Sequence, residues 1–271
     1  IPLNFRWIMR FYAVRMVGEA YNNITPVASM GGEPLKAWLL KSNWGVSLTE
    51  SGVALVISKT TSMFTLVLFV ALGVVNCFYH PNFTYEEKEI AGLGFFLIVF
   101  FAFIFFLMQR LKLLSSLAQL LEHRFYKFKL QRFVEIAETI DRKFENFYSS
   151  YKLRLFQSAV FAMLNWILGV IEIYFIFLFL GDPLTFGEAW MLESIIQLVR
   201  TITFFVPAGI GTQEGAFFIG AGMITGFSSL GVAAALVRRA RDIFWIALSL
   251  SILSFFSVKP SSKNHHHGSD G

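Results

Sequence analysis

The stretch Phe204-Phe205-Val206-Pro207-Ala208-Gly209-Ile210-Gly211-Thr212-Gln213-Glu214-Gly215 constrains this chain more than any other, because it sets a proline, three glycines and a carboxylate inside apolar sequence. Pro207 removes a backbone donor and clashes with the preceding turn, while Gly209 and Gly211 withdraw the side chains that would hold a helix there. The expectation is two short helices flanking an unwound turn. In hydrocarbon such a turn leaves amide and carbonyl groups unpaired at several kcal/mol each, so it is tolerable only against protein or a water-filled cavity. Broken helices of this kind mark cargo sites in transporters.

The surrounding sequence is of membrane grade. Of 271 residues, 55% are hydrophobic and 15% charged, against about 25% charged in an ordinary soluble domain. The reading is an all-α polytopic membrane protein. Its formal net charge of +5 falls beside apolar spans, where an anionic leaflet is the natural partner, and nucleic acid is not expected. Cys77 is the single cysteine, which leaves no intrachain disulfide and no cysteine-based metal site. Neither a metal nor another cofactor is expected. The opening Ile1-Pro2-Leu3 lacks an initiator methionine, so a processed or truncated chain with further helices upstream is expected. Residues 259–271, with His265, His266 and His267, read as a disordered tail or the remnant of an added sequence.

A second interrupted segment precedes the first in the chain. An apolar run through Trp7, Ile8, Phe11, Val14, Val17 and Ala20 meets Asn22-Asn23-Ile24-Thr25-Pro26, then Gly31-Gly32-Glu33, and a short helix restarts at Pro34. Pro26 to Glu33 is seven positions, as is Pro207 to Glu214, and Glu19 and Arg200 each stand seven before their proline. Two matched breaks, one in each half, point to repeats that meet at a binding site. The hairpin breaks are therefore placed at Pro26, Gly31, Gly32, Pro207, Gly209 and Gly211.

Between and after the breaks the chain divides readily. The single transmembrane domain is placed at 1–258, with a first re-entrant hairpin over 1–51 and two spans over 52–108, namely Gly52–Phe78 and Ile90–Met108. A cytoplasmic basic amphipathic segment follows over 109–155. Residues 156–258 supply a span at Phe156–Leu180, the second re-entrant hairpin and a last span at Ile243–Val258. About four full transmembrane helices and two inverted hairpins result. Ten basic residues between Arg110 and Arg154 mark the cytoplasmic face by the positive-inside rule. The stripe Phe133, Ile136, Ile140, Phe144, Phe147, Tyr151 on that segment reads either as a connector packed on the membrane domain or as a face for anionic lipid. On this topology hairpin one opens to the cytoplasm, hairpin two to the exterior, and the C-terminus is cytoplasmic.

Charges inside the membrane are costly, about 2.5–3.5 kcal/mol each on insertion scales, so they are functional candidates. Glu193, Gln197 and Arg200 align at i, i+4, i+7 on one face running into the Pro207 turn. Arg15 and Glu19 form an i, i+4 pair running into the Pro26 turn. Glu33 and Glu214 stand just past the breaks, where a carboxylate either caps free amides or meets a ligand. Arg200 beside helix N-termini suits a phosphate or carboxylate head group, or else pairs with Glu193 or Glu172. Arg238, Arg239, Arg241 and Asp242 precede the last span, either as an interfacial anchor or turned inward to a head group. The candidate substrate-binding set is Arg15, Glu19, Asn23, Glu33, Lys36, Glu172, Glu193, Gln197, Arg200, Gln213, Glu214, Arg238 and Arg241. No catalytic set is assigned: outside the tail the histidines are His80 and His123 alone, and the lysine-bearing glycine loop of ATP-driven proteins is absent.

At Arg15-x-x-x-Glu19-x-x-Asn22-Asn23-Ile24-Thr25-Pro26-x-x-x-x-Gly31-Gly32-Glu33-x-x-Lys36, and at Val206 through Gly215, the chain resembles the lysylphosphatidylglycerol synthase/flippase transmembrane family. Ala235-Leu236-Val237-Arg238-Arg239-Ala240-Arg241-Asp242 and Trp166-x-x-Gly169-x-x-Glu172 are most similar to its hopanoid-transport-associated branch. The resemblance implies a multi-pass inner-membrane protein that moves amphiphilic lipids without a metal, and with no catalytic set assigned the protein is not expected to be an enzyme. The expected function is flippase-like transport of a polar-headed or anionic lipid through a groove between the hairpins. Membrane lipids are the expected partners, with a second copy of the chain or a lipid-biosynthetic protein also admitted. The alternatives are a scaffold that recruits a lipid-modifying enzyme through the basic segment, and a membrane-embedded lipid transferase built on Glu172, Glu193 and Glu214.

Overall fold

A computed structural model describes residues 4–25, 31–110, 131–254 and Phe256. Pro26, most of the basic loop and the tail lie outside the described residues. Every element found is a helix: α1 Phe5–Ile24, α2 Gly32–Trp44, α3 Leu48–Tyr79, α4 Tyr85–Arg110, α5 Gln131–Ser150, α6 Lys152–Phe179, α7 Phe186–Ile202, α8 Thr212–Thr225 and α9 Ser228–Ser254, with a short 3-10 turn at Pro207–Gly209. By length and composition α3, α4 and α6 can each cross a membrane, and the protein is an all-α polytopic membrane protein.

α3 is the spine. Its 32 residues run about 48 Å at 1.5 Å per residue, and α2, α4, α6 and α7 all pack on it. Phe69, fully buried, stacks on Trp190 of α7 at 4.9 Å and on Trp166 of α6 at 6.1 Å. Both indoles spend their N–H on α3, Trp190 on the Phe69 carbonyl at 2.9 Å and Trp166 on the Thr65 hydroxyl at 3.2 Å. The aromatic bodies thus fill the core while no indole donor is stranded in it.

Side-chain contacts sort the helix ends to two ends of the bundle. At the first end, Trp44 closing α2 meets Trp7 of α1 and Phe256 just past α9. There too α5 lies against the start of α3, with Phe144 packed on Val53 and Ile57 and Lys143 Nζ 3.8 Å from Glu50. At the second end, His80 after α3 contacts Glu188 at the start of α7 at 3.3 Å, and Asn82 donates to the Ile224 carbonyl at the end of α8 at 3.1 Å. The pair α1–α2 therefore has its free ends at the first end, and α7–α8 at the second. The two meet inside: α1 packs on α9 and on the Pro207 turn.

One span differs from the sequence reading. Arg238, Arg239, Arg241 and Asp242 do not precede the last span; they sit midway along α9, which runs unbroken from Ser228 to Ser254. Gly226, with φ +81°, ends α8, and α9 restarts two residues later at the second end of the bundle. The arginines thus fall some ten residues, about 15 Å, into the helix. Sequence hydropathy places the span after the charges because it cannot see partners that make a mid-helix arginine tolerable.

Candidate functional site

Helix pair α1–α2 is closed by its own polar groups. Gly32 presses so closely on α1 that a Cβ there would overlap the Gly18 carbonyl oxygen, and its N–H donates to Asn22 Oδ1 at 2.7 Å. Lys36, 6% exposed, reaches Glu19 at 2.6 Å and Glu33 at 3.0 Å. Burying an ammonium between two carboxylates satisfies its donors where water is scarce. The expected Arg15–Glu19 pair is replaced by Lys36–Glu19: Arg15 is exposed and makes no salt bridge to Glu19, although it and Lys59 of α3 act electrostatically on the same carboxylate. Asn23 is half-buried, and its neighbour Asn22 is the residue that ties the hairpin.

The Pro207 break is unwound as the sequence requires. Pro207–Gly209 forms one 3-10 turn, Ala208 stands at φ 52° without being glycine, and Gly211 at φ 82° precedes α8. Glu214 caps α8, its Oε2 accepting from the Gly211 N–H at 2.8 Å. The other oxygen of Glu214 accepts from Arg239, with Nε at 2.9 Å, and Arg239 also donates to the Ala208 carbonyl at 3.0 Å. Arg239 thus ties the unwound turn to the middle of α9, satisfying a carbonyl that the break releases. Thr212 adds a hydroxyl bond to the Gly209 carbonyl at 3.2 Å. Gln213 is buried beside the turn.

A third cluster lies behind the break. Arg238, 4% exposed, stands 2.8 Å from Glu193, itself 2% exposed, and 3.4 Å from Glu172. The Glu193 contact is a charge pair of poor hydrogen-bond alignment, and Arg238 Nε has no partner. The guanidinium lies 5.1 Å from the Phe217 ring centre. Gln197 donates to the other Glu193 oxygen at 2.7 Å, and Arg241 pairs with Glu172 and with Asp242. Four helices, α6, α7, α8 and α9, are joined at this point. The sequence expectation that Arg200 pairs with Glu193 or Glu172 fails: Arg238 occupies both carboxylates, and Arg200 is exposed with no partner among the described residues. The i, i+4, i+7 alignment holds for Glu193 and Gln197, while the last turn of α7 turns Arg200 outward.

Of the thirteen candidates, the structure gathers Glu19, Glu33 and Lys36 in one cluster, Glu172, Glu193, Gln197, Arg238 and Arg241 in another, and sets Glu214 and Gln213 at the Pro207 turn. Sequence reasoning left out Asn22 and Arg239, although both stand inside quoted motifs. The signal that finds Arg239 is its helical spacing, two turns past Gly231, where a Cβ would overlap the Phe217 carbonyl oxygen of α8. Two open cavities stand at opposite ends of the bundle, and neither includes the Pro207 turn.

Among curated proteins, the chain is 22% identical over 267 residues to a UPF0104 membrane protein of Methanothermobacter thermautotrophicus, covering 93% of this chain and 77% of that one. It is 24% identical over 244 residues to a UPF0104 membrane protein of Pyrococcus horikoshii, covering 85% of this chain and 71% of the other. No solved structure gives a significant match. The family model described as lysylphosphatidylglycerol synthase TM region matches residues 4–250, which takes in both helix pairs, the Pro207 break and the arginines of α9. With nearly the whole chain matched, this protein belongs to the lysylphosphatidylglycerol synthase TM-region family.

Proposed function

We propose that the protein translocates a polar-headed, anionic lipid across or out of the inner membrane, the head group passing a polar seam between two re-entrant hairpins while the acyl tails stay in the bilayer. The observation that carries this reading is the meeting of α1 with the Pro207 turn from opposite ends of the bundle. α2 with 13 residues and α8 with 14 are too short to cross a hydrocarbon core that needs about 20. Each therefore turns back at depth, and its broken end lies where charges are held by protein rather than by water. Exposed Arg200 and Arg15 border those ends as cations not consumed by structural salt bridges, which suits a phosphate or carboxylate. No covalent bond is made or broken on this reading.

The basic residues ahead of α6, read by the positive-inside rule, favour a cytoplasmic side for the first end of the bundle and with it the end of α9. Vesicles reconstituted with the parent and with Arg200→Ala and Arg15→Ala test the function directly. The parent is expected to move fluorescently labelled phosphatidylglycerol between leaflets faster than protein-free vesicles, and each variant to be slowed about fivefold or more for the loss of one phosphate contact of about 1 kcal/mol. Parent vesicles no faster than empty ones would overturn the reading.

A further inference from the structure

A second, separate feature sits at the first end of the bundle. The start of α1, the end of α2 and the end of α9 enclose an open cavity of about 450 Å³, lined by Phe5, Arg6, Met9, Arg10, Trp44 and Phe256. Trp44 and Phe256 of its wall also pack against an apolar cluster that includes Val14, Leu40, Ile252 and Leu253. Arg10 lies against two indoles, 4.8 Å from the Trp7 ring centre and 5.3 Å from that of Trp44. Trp44 is in turn held edge-on by Trp7 at 6.2 Å and by Phe256 at 5.9 Å. The two ring contacts hold the guanidinium in place, and among the described residues its N–H groups have no hydrogen-bond partner.

Among the described residues neither Arg6 nor Arg10 has an ion-pair partner, and the one acidic residue of α1, Glu19, is held by Lys36. Lys41 lies one turn before Trp44 and adds to the same sign. Two tryptophans and two arginines around an apolar cleft are also what the membrane–water boundary favours, with indoles at head-group depth.

We propose that this cavity is a binding site for an anionic phospholipid, its phosphate on Arg6 and Arg10 and an acyl chain along Phe5, Met9 and Phe256. Zwitterionic lipid offers the same phosphate but brings an ammonium toward two unpaired arginines, so the site selects for net negative charge. A free phosphate lacks the acyl chain that the apolar wall would cover and binds far more weakly. The inference rests on the protein being embedded in a membrane and not on lipid transport.

Binding is read in detergent, where no leaflet exchange occurs, so its failure leaves the transport reading untouched. Delipidated full-length protein is titrated with dioleoylphosphatidylglycerol or dioleoylphosphatidylcholine, and bound lipid is counted by native mass spectrometry. Phosphatidylglycerol is expected to bind about tenfold tighter or more, and Arg6→Gln/Arg10→Gln to weaken it about thirtyfold, from about 1 kcal/mol per basic residue. Arg6→Gln alone, at an exposed position, is expected to cost about fivefold and decides the matter if the double variant does not fold. Arg10→Lys should fall between, because it keeps the charge but not the stacked plane. Equal affinity for the two lipids, or a folded Arg6→Gln that binds phosphatidylglycerol as tightly as the parent, refutes the site. Complete displacement of the lipid by millimolar inorganic phosphate refutes the lipid assignment and makes the ligand a soluble anion.

Discussion

Removing Arg238 is the perturbation that tests the architecture most directly. Among the described residues its guanidinium is the one cation paired with Glu193, which is 2% exposed and held otherwise by Gln197. Arg238→Met keeps most of the side-chain volume but strands that carboxylate where water does not reach. Breaking one partner out of a buried pair costs about 3–5 kcal/mol, because the charge left behind is uncompensated. For a chain of this size 1 kcal/mol shifts the melting temperature by about 2–4 °C, so the loss is about 6–20 °C. Glu193→Gln in the Arg238→Met background removes the stranded charge and should restore most of the loss, since hydrophobic or neutral replacement of a whole buried pair is often close to neutral. The assay is thermal unfolding of the four proteins of this cycle in one detergent, followed by tryptophan fluorescence or loss of the monodisperse peak. A coupling energy well above 0.5 kcal/mol is required. If Arg238→Met melts within about 2 °C of the parent, or if the double variant falls by the sum of the singles, Arg238 and Glu193 do not depend on one another and the central pairing described here is wrong.

Two further outcomes follow from backbone geometry. Ala208 holds φ 52° in the Pro207 turn, a left-handed conformation costing about 1–2 kcal/mol for an L-residue; Ala208→Gly should therefore raise the melting temperature by a few degrees once the entropy of glycine, about 0.5–1 kcal/mol, is subtracted, and a lower melting temperature would contradict that turn. Gly32→Ala drives a methyl into the Gly18 carbonyl oxygen, which is backbone and cannot swing aside; it should part α1 from α2 and expose the Lys36–Glu19 pair, seen as a melting temperature lower by about 4 °C or more, and an unchanged melting temperature would count against the close crossing.

The buried charges of Lys36, Glu193 and Arg238 are consumed by the fold itself. Lys36, Arg238 and Arg239 each bridge two elements, and each does so where an unwound or closely packed backbone needs it. A seam held this way is stiff at its ties, while exposed cations such as Arg200 and Arg6 have no salt-bridge partner among the described residues. Those unpaired residues are where lipid chemistry is most readily sought, since a lipid phosphate that must displace an internal carboxylate gains little.

The sequence by itself determined the class and the break at Pro207. Long apolar runs leave helices as the only way to satisfy a backbone in lipid, and Pro207 with Gly209 and Gly211 cannot continue one, so an all-α membrane protein interrupted at that point is legible from residues 1–258 alone. The capping role of Glu214 is legible too, as one of two readings, because it depends on local spacing. Which charge meets which carboxylate is not. Spacing along one helix offered Arg200 for Glu193 and Arg15 for Glu19, yet the partners come from other helices, Arg238 of α9 and Lys36 of α2. An ion pair is decided by three-dimensional distance and by what is excluded from around it, and hydropathy averaged along a chain carries neither. For the same reason α9 reads as a short span preceded by charges until tertiary packing supplies Glu172 and Glu193 opposite them, making a continuous helix through the arginines the cheaper structure.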